Sequence, residues 1–230
     1  AYTHAYLLAQ GWPFPVSIIC ATLLSSLVGA IIGIPALRMT GIYLAVATLA
    51  FAIIVEQVLS HWVSVTGGFR GMAVELPSIG SFSLDDSVTF YFLCLFVLTG
   101  CLLLALNLLR TSTGRAMTAI RDSEISAQSM GIHLAYTKTL AFGISAGFTG
   151  LACSLLAHKI GYLAPDSFTL LTSIQLLLMV VVGGLGSLHG VIYGALFIGL
   201  LPQGLALLRD TLPPALAQIP GLEPGIFGLI

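Results

Sequence analysis

The chain has 230 residues, of which 57% are hydrophobic and only 7% are charged, and its mean hydropathy is +1.05. Soluble domains carry about 25% charged residues, so this composition excludes a soluble globular domain and indicates an integral membrane protein. The net charge of −1 says nothing about nucleic acid, but no basic patch or aromatic stacking array in the sequence argues for it, so we expect no nucleic-acid partner. Neither end of the sequence resembles a natural terminus, so we expect a piece of a longer chain.

Apolar runs long enough to cross a bilayer recur along the chain. A spanning helix needs about 20 apolar residues, because about 30 Å of hydrocarbon is crossed at about 1.5 Å per residue. The sequence therefore predicts an all-α, polytopic transmembrane bundle of about six to seven spans, forming a single domain over residues 1–230. The predicted elements are the tail of an earlier element at 1–15, broken by Pro13 and Pro15, spans at 16–34, 41–59, 89–109 and 139–157, a short apolar segment at 170–182, a span at 191–208, a loop at 209–221 and a truncated span from Glu223.

Two of these spans carry small residues at a helical repeat. The first has Ser25, Gly29 and Gly33, and the fourth has the run 143–150, which contains three glycines. Small residues at this spacing let another helix approach closely. Both spans are therefore predicted to pack inside the bundle.

The connections differ in charge. The connection 60–88 holds one cation against three acids, which is typical of an external loop. In contrast, the loop 110–138 holds four of the eight Lys and Arg residues of the chain, namely Arg110, Arg115, Arg121 and Lys138. Short loops rich in cations lie on the cytoplasmic side of the membrane, so the sequence predicts that this loop faces the cell interior.

The cytoplasmic loop is predicted to contain a helix over 114–131. It has no proline, and Gly114 and Gly131 are placed as helix breakers at its two ends. A weakly apolar stripe recurs at spacings of three and four, formed by Met117, Ile120, Glu124, Ala127 and Met130. Such a helix either rests on the lipid headgroups or docks into a groove of a cytoplasmic partner.

A glycine-rich break follows the short segment 170–182. The run 183–190 contains four glycines next to an apolar segment of only 13 residues. Exposed backbone at membrane depth is tolerated only where protein or water satisfies it, and discontinuous segments of this kind line substrate pathways in transporters. Close helix packing is the alternative explanation for these glycines.

No catalytic constellation is present in the sequence. There is no GxxxxGK[ST] phosphate loop and no HExxH zinc motif, the five histidines are dispersed, and the four cysteines lie inside apolar runs. We therefore expect a protein that is not an enzyme and binds no metal. The acidic Glu56 lies near the external end of its span, where it is either an interfacial carboxylate or part of a pathway or gate.

Four stretches resemble branched-chain amino acid ABC transporter permeases of the LivM type, and they occur in the family's order. They are the run 35–51 (PALRMTGIYLAVATLAF), the motif 66–68 (TGG), the segment from Gly114 to Ile132, and the run 182–187 (VGGLGS). The resemblance covers most of residues 35–200. It implies an all-helical permease subunit of the bacterial-type inner membrane.

The resemblance also implies roles for particular residues. The segment 114–131 is expected to be the coupling helix that inserts into an ATPase subunit, through Gly114, Arg115, Arg121, Asp122, Glu124 and Gly131. Substrate is expected to pass along the residues Thr40, Gly41, Tyr43, Thr48, Glu56, Ser145, Thr149, Gly183, Gly184, Gly186 and Ser187.

The implied partners are a second permease subunit, two cytoplasmic ATPase subunits, an external substrate-binding protein and the lipid bilayer. No cofactor is expected on this chain, since ATP is used by the partner subunits. Two alternatives are open: an ABC permease for urea, short amides or sugars, and a self-contained channel or secondary transporter. The second alternative depends on intramembrane ionisable residues for ion coupling, and Glu56 is the one acidic residue in a clear span.

Overall fold

The computed structural model describes residues 1–37, 42–74, 78–79, 82–83, 87–168 and 170–211. The α-helices in this part of the chain are α1 (Tyr2–Ala9), α2 (Phe14–Ala36), α3 (Ile42–His61), α4 (Val63–Thr66), α5 (Ser87–Arg110), α6 (Ser112–Asp122), α7 (Glu124–Ser129), α8 (Leu134–Ile160), α9 (Leu170–Gly183) and α10 (Leu188–Thr211). The strands are two residues long: β1 (Met72–Ala73), β2 (Ser78–Ile79), β3 (Phe82–Ser83) and β4 (Tyr162–Leu163). The predicted all-α class is confirmed.

Each span predicted within the described residues is a helix. By length and composition, α2, α5 and α8 contain segments that are long and apolar enough to cross a membrane. A fourth candidate combines α3 with the segment Val63–Arg70, and the chain bends by 79° between them. Two shorter apolar helices follow, Leu171–Gly183 and Leu188–Gln203. The span predicted from Glu223 lies outside the described residues.

The two prolines predicted to break an earlier element have a different role. Pro13 is the N-cap of α2 in extended conformation, and Pro15 lies in the first turn of that helix. Proline is tolerated there because the backbone N–H groups of the first turn have no partner inside the helix. The prediction that Pro15 breaks an element was wrong: α2 begins at Phe14.

The contact between α2 and α8, here called the α2–α8 interface, forms where the two small-residue repeats meet. Gly29 lies against Ala146 and Phe142, so closely that an added Cβ would overlap the Cβ of Ala146. Gly150 lies against Ser25, and the Ser25 hydroxyl donates a 2.7 Å hydrogen bond to the Ala146 carbonyl. The close packing predicted for both spans is confirmed, and the two spans pack against each other.

The two helices run antiparallel. The early part of α2, at Ala21 and Ser25, meets Gly150 near the middle of α8, and the later Gly33 meets Thr139 near the start of α8. The two small-residue repeats therefore pair in opposite chain directions.

Contacts near the end of α8 hold α1 and the 60–88 connection in place. His4 of α1 is fully buried, and its Nε2 lies 2.7 Å from Nε2 of His158 in the last turns of α8. Strand β1 pairs antiparallel with β4, so that Met72 lies opposite Leu163. The 60–88 connection was predicted to be an external loop, and its described residues include α4 and a 3-10 turn at Gly68–Arg70.

The described residues from Phe168 to Thr211 belong to a second compact unit. In its described part, α9 and α10 form a helical hairpin joined by residues 184–187. The backbones approach closely, because a Cβ on Gly194 would meet Gly183 at 2.8 Å and a Cβ on Gly190 would meet the carbonyl carbon of Gly183 at 2.9 Å. The loop predicted over 209–221 does not begin at residue 209, since α10 continues to Thr211, and the rest of the predicted loop lies outside the described residues.

Candidate functional site

The connector, residues 111–133 between α5 and α8, begins with a side-chain cap. Thr111 is extended (φ −74°, ψ 166°), and its Oγ1 accepts a 3.2 Å hydrogen bond from the backbone N–H of Gly114. The same hydroxyl donates a 2.6 Å hydrogen bond to the Leu108 carbonyl. One side chain therefore ends α5, starts α6 and fixes the angle between them.

Gly114 was predicted to end a helix, and this prediction was wrong. It lies in the first turn of α6 and is buried against the backbone at the end of α5. A Cβ at this position would lie 2.6 Å from Cα of Leu109, a distance that real Cβ atoms essentially never show. Glycine is required there because two backbones meet, and the breaker role is confirmed only for Gly131, which follows α7 with φ +82°.

The single helix predicted over 114–131 is interrupted at Ser123. Ser123 is extended (φ −161°, ψ 114°), and its Oγ accepts a 3.3 Å hydrogen bond from the backbone N–H of Ser126. Serine favours this N-cap geometry because its short hydroxyl competes for backbone donors. The prediction of one continuous helix was therefore wrong, and the connector holds two short helices.

The interruption divides the predicted apolar stripe. Met117 and Ile120 on α6 are half-buried, and Ala127 on α7 is buried. Met130 was predicted to lie on the same stripe, but 82% of it is exposed. Ile125, which lay off the stripe, is 83% exposed. Two large apolar side chains of the connector are thus left facing outward.

The charged residues of the connector fall into two groups. Arg115, Arg121 and Asp122 are exposed, and the Arg121 guanidinium contacts the neighbouring Asp122 carboxylate at 3.2 Å. Both partners are more than half exposed, so this pair contributes little stability.

Glu124 has a different environment. Its carboxylate lies 2.8 Å from Nζ of Lys138, which is only 21% exposed and lies in the second turn of α8. This ion pair ties α7 to α8. The sequence placed both residues in the cytoplasmic loop but carried no signal that they pair.

The predicted pathway residues on and just before α3 have different surroundings. Thr48 lines a cleft of about 400 Å³ between α2 and α3, whose other lining residues are apolar, such as Ile31 and Phe51. Tyr43 is exposed, and Glu56 is half-buried. Thr40 and Gly41 lie outside the described residues.

The predicted pathway residues of α8 lie together, one helical turn apart. Ser145 and Thr149 are both exposed, and the Thr149 hydroxyl donates a 3.0 Å hydrogen bond to the Ser145 carbonyl. In contrast, Gly143, Gly147 and Gly150 of the same helix are buried against α2.

The glycine-rich run is a tight turn between α9 and α10. Gly184 and Gly186 have positive φ values of 102° and 95°, and Gly183 contacts α10. Ser187 Oγ accepts a 3.1 Å hydrogen bond from the N–H of Gly190 and caps α10. Turn geometry and helix packing account for these residues, and Gly186 and Ser187 are also exposed.

Comparison with known proteins places these elements in a family. A family described as branched-chain amino acid transport system / permease component matches residues 1–219. The chain is 34% identical to the high-affinity branched-chain amino acid transport system permease protein LivM of Salmonella typhimurium and to that of Escherichia coli, over 96% of the chain and 57% of each relative. It is 29% identical to the autoinducer 2 import system permease protein LsrC of Enterobacter sp., over 88% of the chain and 59% of that protein. The chain thus spans a little over half the length of these relatives, and no solved structure matches it.

Proposed function

Since the chain belongs to the branched-chain amino acid transport system permease family, a family of membrane transport components and not of enzymes, we propose that it is the membrane-spanning permease subunit of an ATP-driven importer of branched-chain amino acids. The observation that carries this proposal is the similarity to LivM along 96% of the chain. Residues 1–230 would form one transmembrane permease domain, embedded in a bacterial-type inner membrane.

The connector supports a coupling role within this proposal. It presents the exposed side chains of Arg115, Arg121, Asp122, Ile125 and Met130. Exposed charges beside exposed apolar side chains are typical of a helix that docks into a groove on another protein. We assign this surface to the contact with an ATPase subunit.

Force applied to the connector would pass into two spanning helices. Thr111 and Gly114 join α6 to the end of α5, and the Glu124–Lys138 ion pair joins α7 to the start of α8. In this proposal Glu124 transmits movement instead of binding the ATPase. The predicted coupling residues therefore divide into a docking set (Arg115, Arg121, Asp122) and a linking set (Gly114, Glu124, Gly131).

The complete importer would contain a second permease subunit, two cytoplasmic ATPase subunits that use ATP, and an external substrate-binding protein. Substrate would cross by alternating access along the polar or small residues of α3, α8 and the α9–α10 turn. Those residues are Thr40, Gly41, Tyr43, Thr48, Glu56, Ser145, Thr149, Gly183, Gly184, Gly186 and Ser187.

The similarity to LsrC favours a second candidate, a permease of the same class with a different cargo. Uptake of radiolabelled leucine into proteoliposomes that hold the full-length protein and its co-purifying subunits separates the two. We expect ATP-dependent uptake that isoleucine and valine inhibit, and that urea and ribose leave unchanged. No uptake of leucine, together with ATP-dependent uptake of labelled ribose or urea, would assign a different cargo. Uptake without ATP or a co-purifying ATPase would identify a self-contained transporter.

A further inference from the structure

A groove between α5 and α8 is apolar along its length. It encloses about 490 Å³, and its lining includes Phe90, Cys94 and Cys101 of α5 and Phe148, Leu155 and Lys159 of α8. No residue of α5 is buried, so α5 does not close the groove by packing against α8. An apolar space of this size loses van der Waals contacts on both walls unless another molecule fills it.

The groove has the length of one lipid leaflet. Eleven residues separate the first and last lining residues on each wall, from Phe90 to Cys101 and from Phe148 to Lys159. At about 1.5 Å per residue this is about 16 Å, close to half of a hydrocarbon core of about 30 Å. The groove is therefore about half as long as the hydrocarbon core is thick, which is the length of one leaflet.

A cation lies at the surface end of the groove. Lys159 is exposed in the last turn of α8, and it forms no ion pair with any residue that the structure describes. The rest of the lining is apolar except for the thiols of Cys94 and Cys101. A single ammonium group above an apolar groove is complementary to a molecule with an anionic head and a hydrocarbon tail.

The volume distinguishes a lipid from a protein helix. One helical turn, about 11 Å wide and 5.4 Å high, occupies roughly 500 Å³. The volume of the entire groove therefore equals that of a single helical turn, although the groove is about three turns long. A methylene group takes roughly 30 Å³, near the volume of a water molecule in the liquid. The groove therefore holds about 16 methylenes, the length of one acyl chain. We propose that it binds an acyl chain of an anionic phospholipid, with the lipid phosphate paired to Lys159, whichever solute the protein transports.

Photocrosslinking in a bilayer tests this proposal. The full-length protein, with its co-purifying subunits, is placed in nanodiscs that contain phosphatidylglycerol or phosphatidylcholine with the same diazirine-bearing acyl chain, and labelled peptides are mapped by mass spectrometry. We expect labelling concentrated on 90–101 and 148–159. Phosphatidylglycerol is expected to label them about fivefold more than phosphatidylcholine, the preference of one lysine for an anionic headgroup.

Two variants separate head from tail recognition. Lys159→Gln should lower the ratio of the two lipids to about one, whereas Arg70→Gln, which removes another exposed cation, should leave it unchanged. Ala152→Trp, which fills the groove, should abolish labelling by both lipids, whereas Leu103→Trp on an exposed position of α5 should not.

The wild-type measurement alone can overturn the proposal, so it does not depend on whether a tryptophan variant folds. Labelling spread evenly over all exposed helices would show ordinary solvation by lipid. Equal labelling by the two lipids would remove the role of Lys159. Protection of the groove by a co-purifying polypeptide, seen as a crosslink between that subunit and Cys94 or Cys101, would show that protein fills the groove.

Discussion

The α2–α8 interface and the connector are held by different forces. In the interface, small residues bring two backbones into contact. A side chain at Gly29, Gly143 or Gly150 would fit only if neighbouring atoms moved away. In the connector, exposed side chains are positioned by two serine or threonine caps and one ion pair. Helices in a bilayer gain nothing from hydrophobic burial against lipid, so they associate by close packing. A segment in water can instead leave its side chains free to contact a partner.

The largest effect is expected from breaking the interface with Gly29→Leu. The new side chain would collide with Ala146 and the Phe142 carbonyl, and overpacking of this kind costs about 3 kcal/mol or more. Thermal unfolding in detergent, followed by loss of the monodisperse peak in size-exclusion chromatography, measures it. Gly100→Leu on α5 is the matched control, because nothing in the described part of the chain lies within 4 Å of a Cβ at Gly100. Equal tolerance of both variants would contradict the interface as described.

The next largest effect is expected on ATP-dependent uptake, from a variant of the connector that leaves the α2–α8 interface intact. Arg121→Glu should lower ATP-dependent uptake by about tenfold or more, because a reversed charge at a docking contact costs several kcal/mol of binding. The melting temperature should not change, since Arg121 is exposed and pairs only with its neighbour Asp122 in the described chain. Uptake by proteoliposomes measures it, with Arg70→Glu as the control. Normal uptake by Arg121→Glu would remove the docking assignment.

A smaller effect is expected from Ser25→Ala, which tests the contribution of one hydrogen bond to the interface. The variant removes the hydrogen bond to Ala146 without creating a clash. Hydrogen bonds between membrane helices contribute on average about 0.6 kcal/mol, with a maximum of about 1.7 kcal/mol. Steric trapping or reversible unfolding in mixed micelles can measure this loss. Ser145→Ala, on an exposed part of α8, should leave stability unchanged, and a similar loss in both variants would argue against the specific bond.

The smallest effect is expected from the pair Glu124 and Lys138. A double-mutant cycle with Glu124→Gln and Lys138→Gln should give a coupling free energy of about 0.5 kcal/mol, since Glu124 is 47% exposed and solvent screens the pair. Uptake should fall more than this stability change suggests, because the pair links α7 to α8. A coupling energy near zero, together with normal uptake, would show that Glu124 has no linking role.

The spans could be predicted from the sequence because bilayer thickness imposes a local requirement on each apolar run. The partner of each small-residue repeat could not, since α2, α8 and α10 all carry glycines at similar spacing. Only the three-dimensional arrangement pairs Gly29 with Ala146 and Gly194 with Gly183.

The charge of the connector predicts a cytoplasmic position, which stays a prediction, whereas its internal structure was not predicted. A serine followed by glutamate inside a helical pattern is a helix-start signal, and it identifies the break at Ser123 once the apolar stripe is set aside. The pairing of Glu124 with Lys138 has no such signal, because it joins residues 14 positions apart on two different helices. The break at Ser123 also changes which side chains of α7 face outward, and Ile125 and Met130 are exposed for this reason.

The α2–α8 interface also has a consequence for biogenesis. Ser25 and Ala146 are 121 residues apart, and at about 5–20 residues per second the ribosome needs roughly 6 to 25 s to synthesise the chain between them. During this interval the glycine face of α2 has been synthesised but its partner helix has not. A nascent chain that ends before residue 146 therefore leaves this face without α8, whereas a chain that extends past residue 160 contains the whole of its partner.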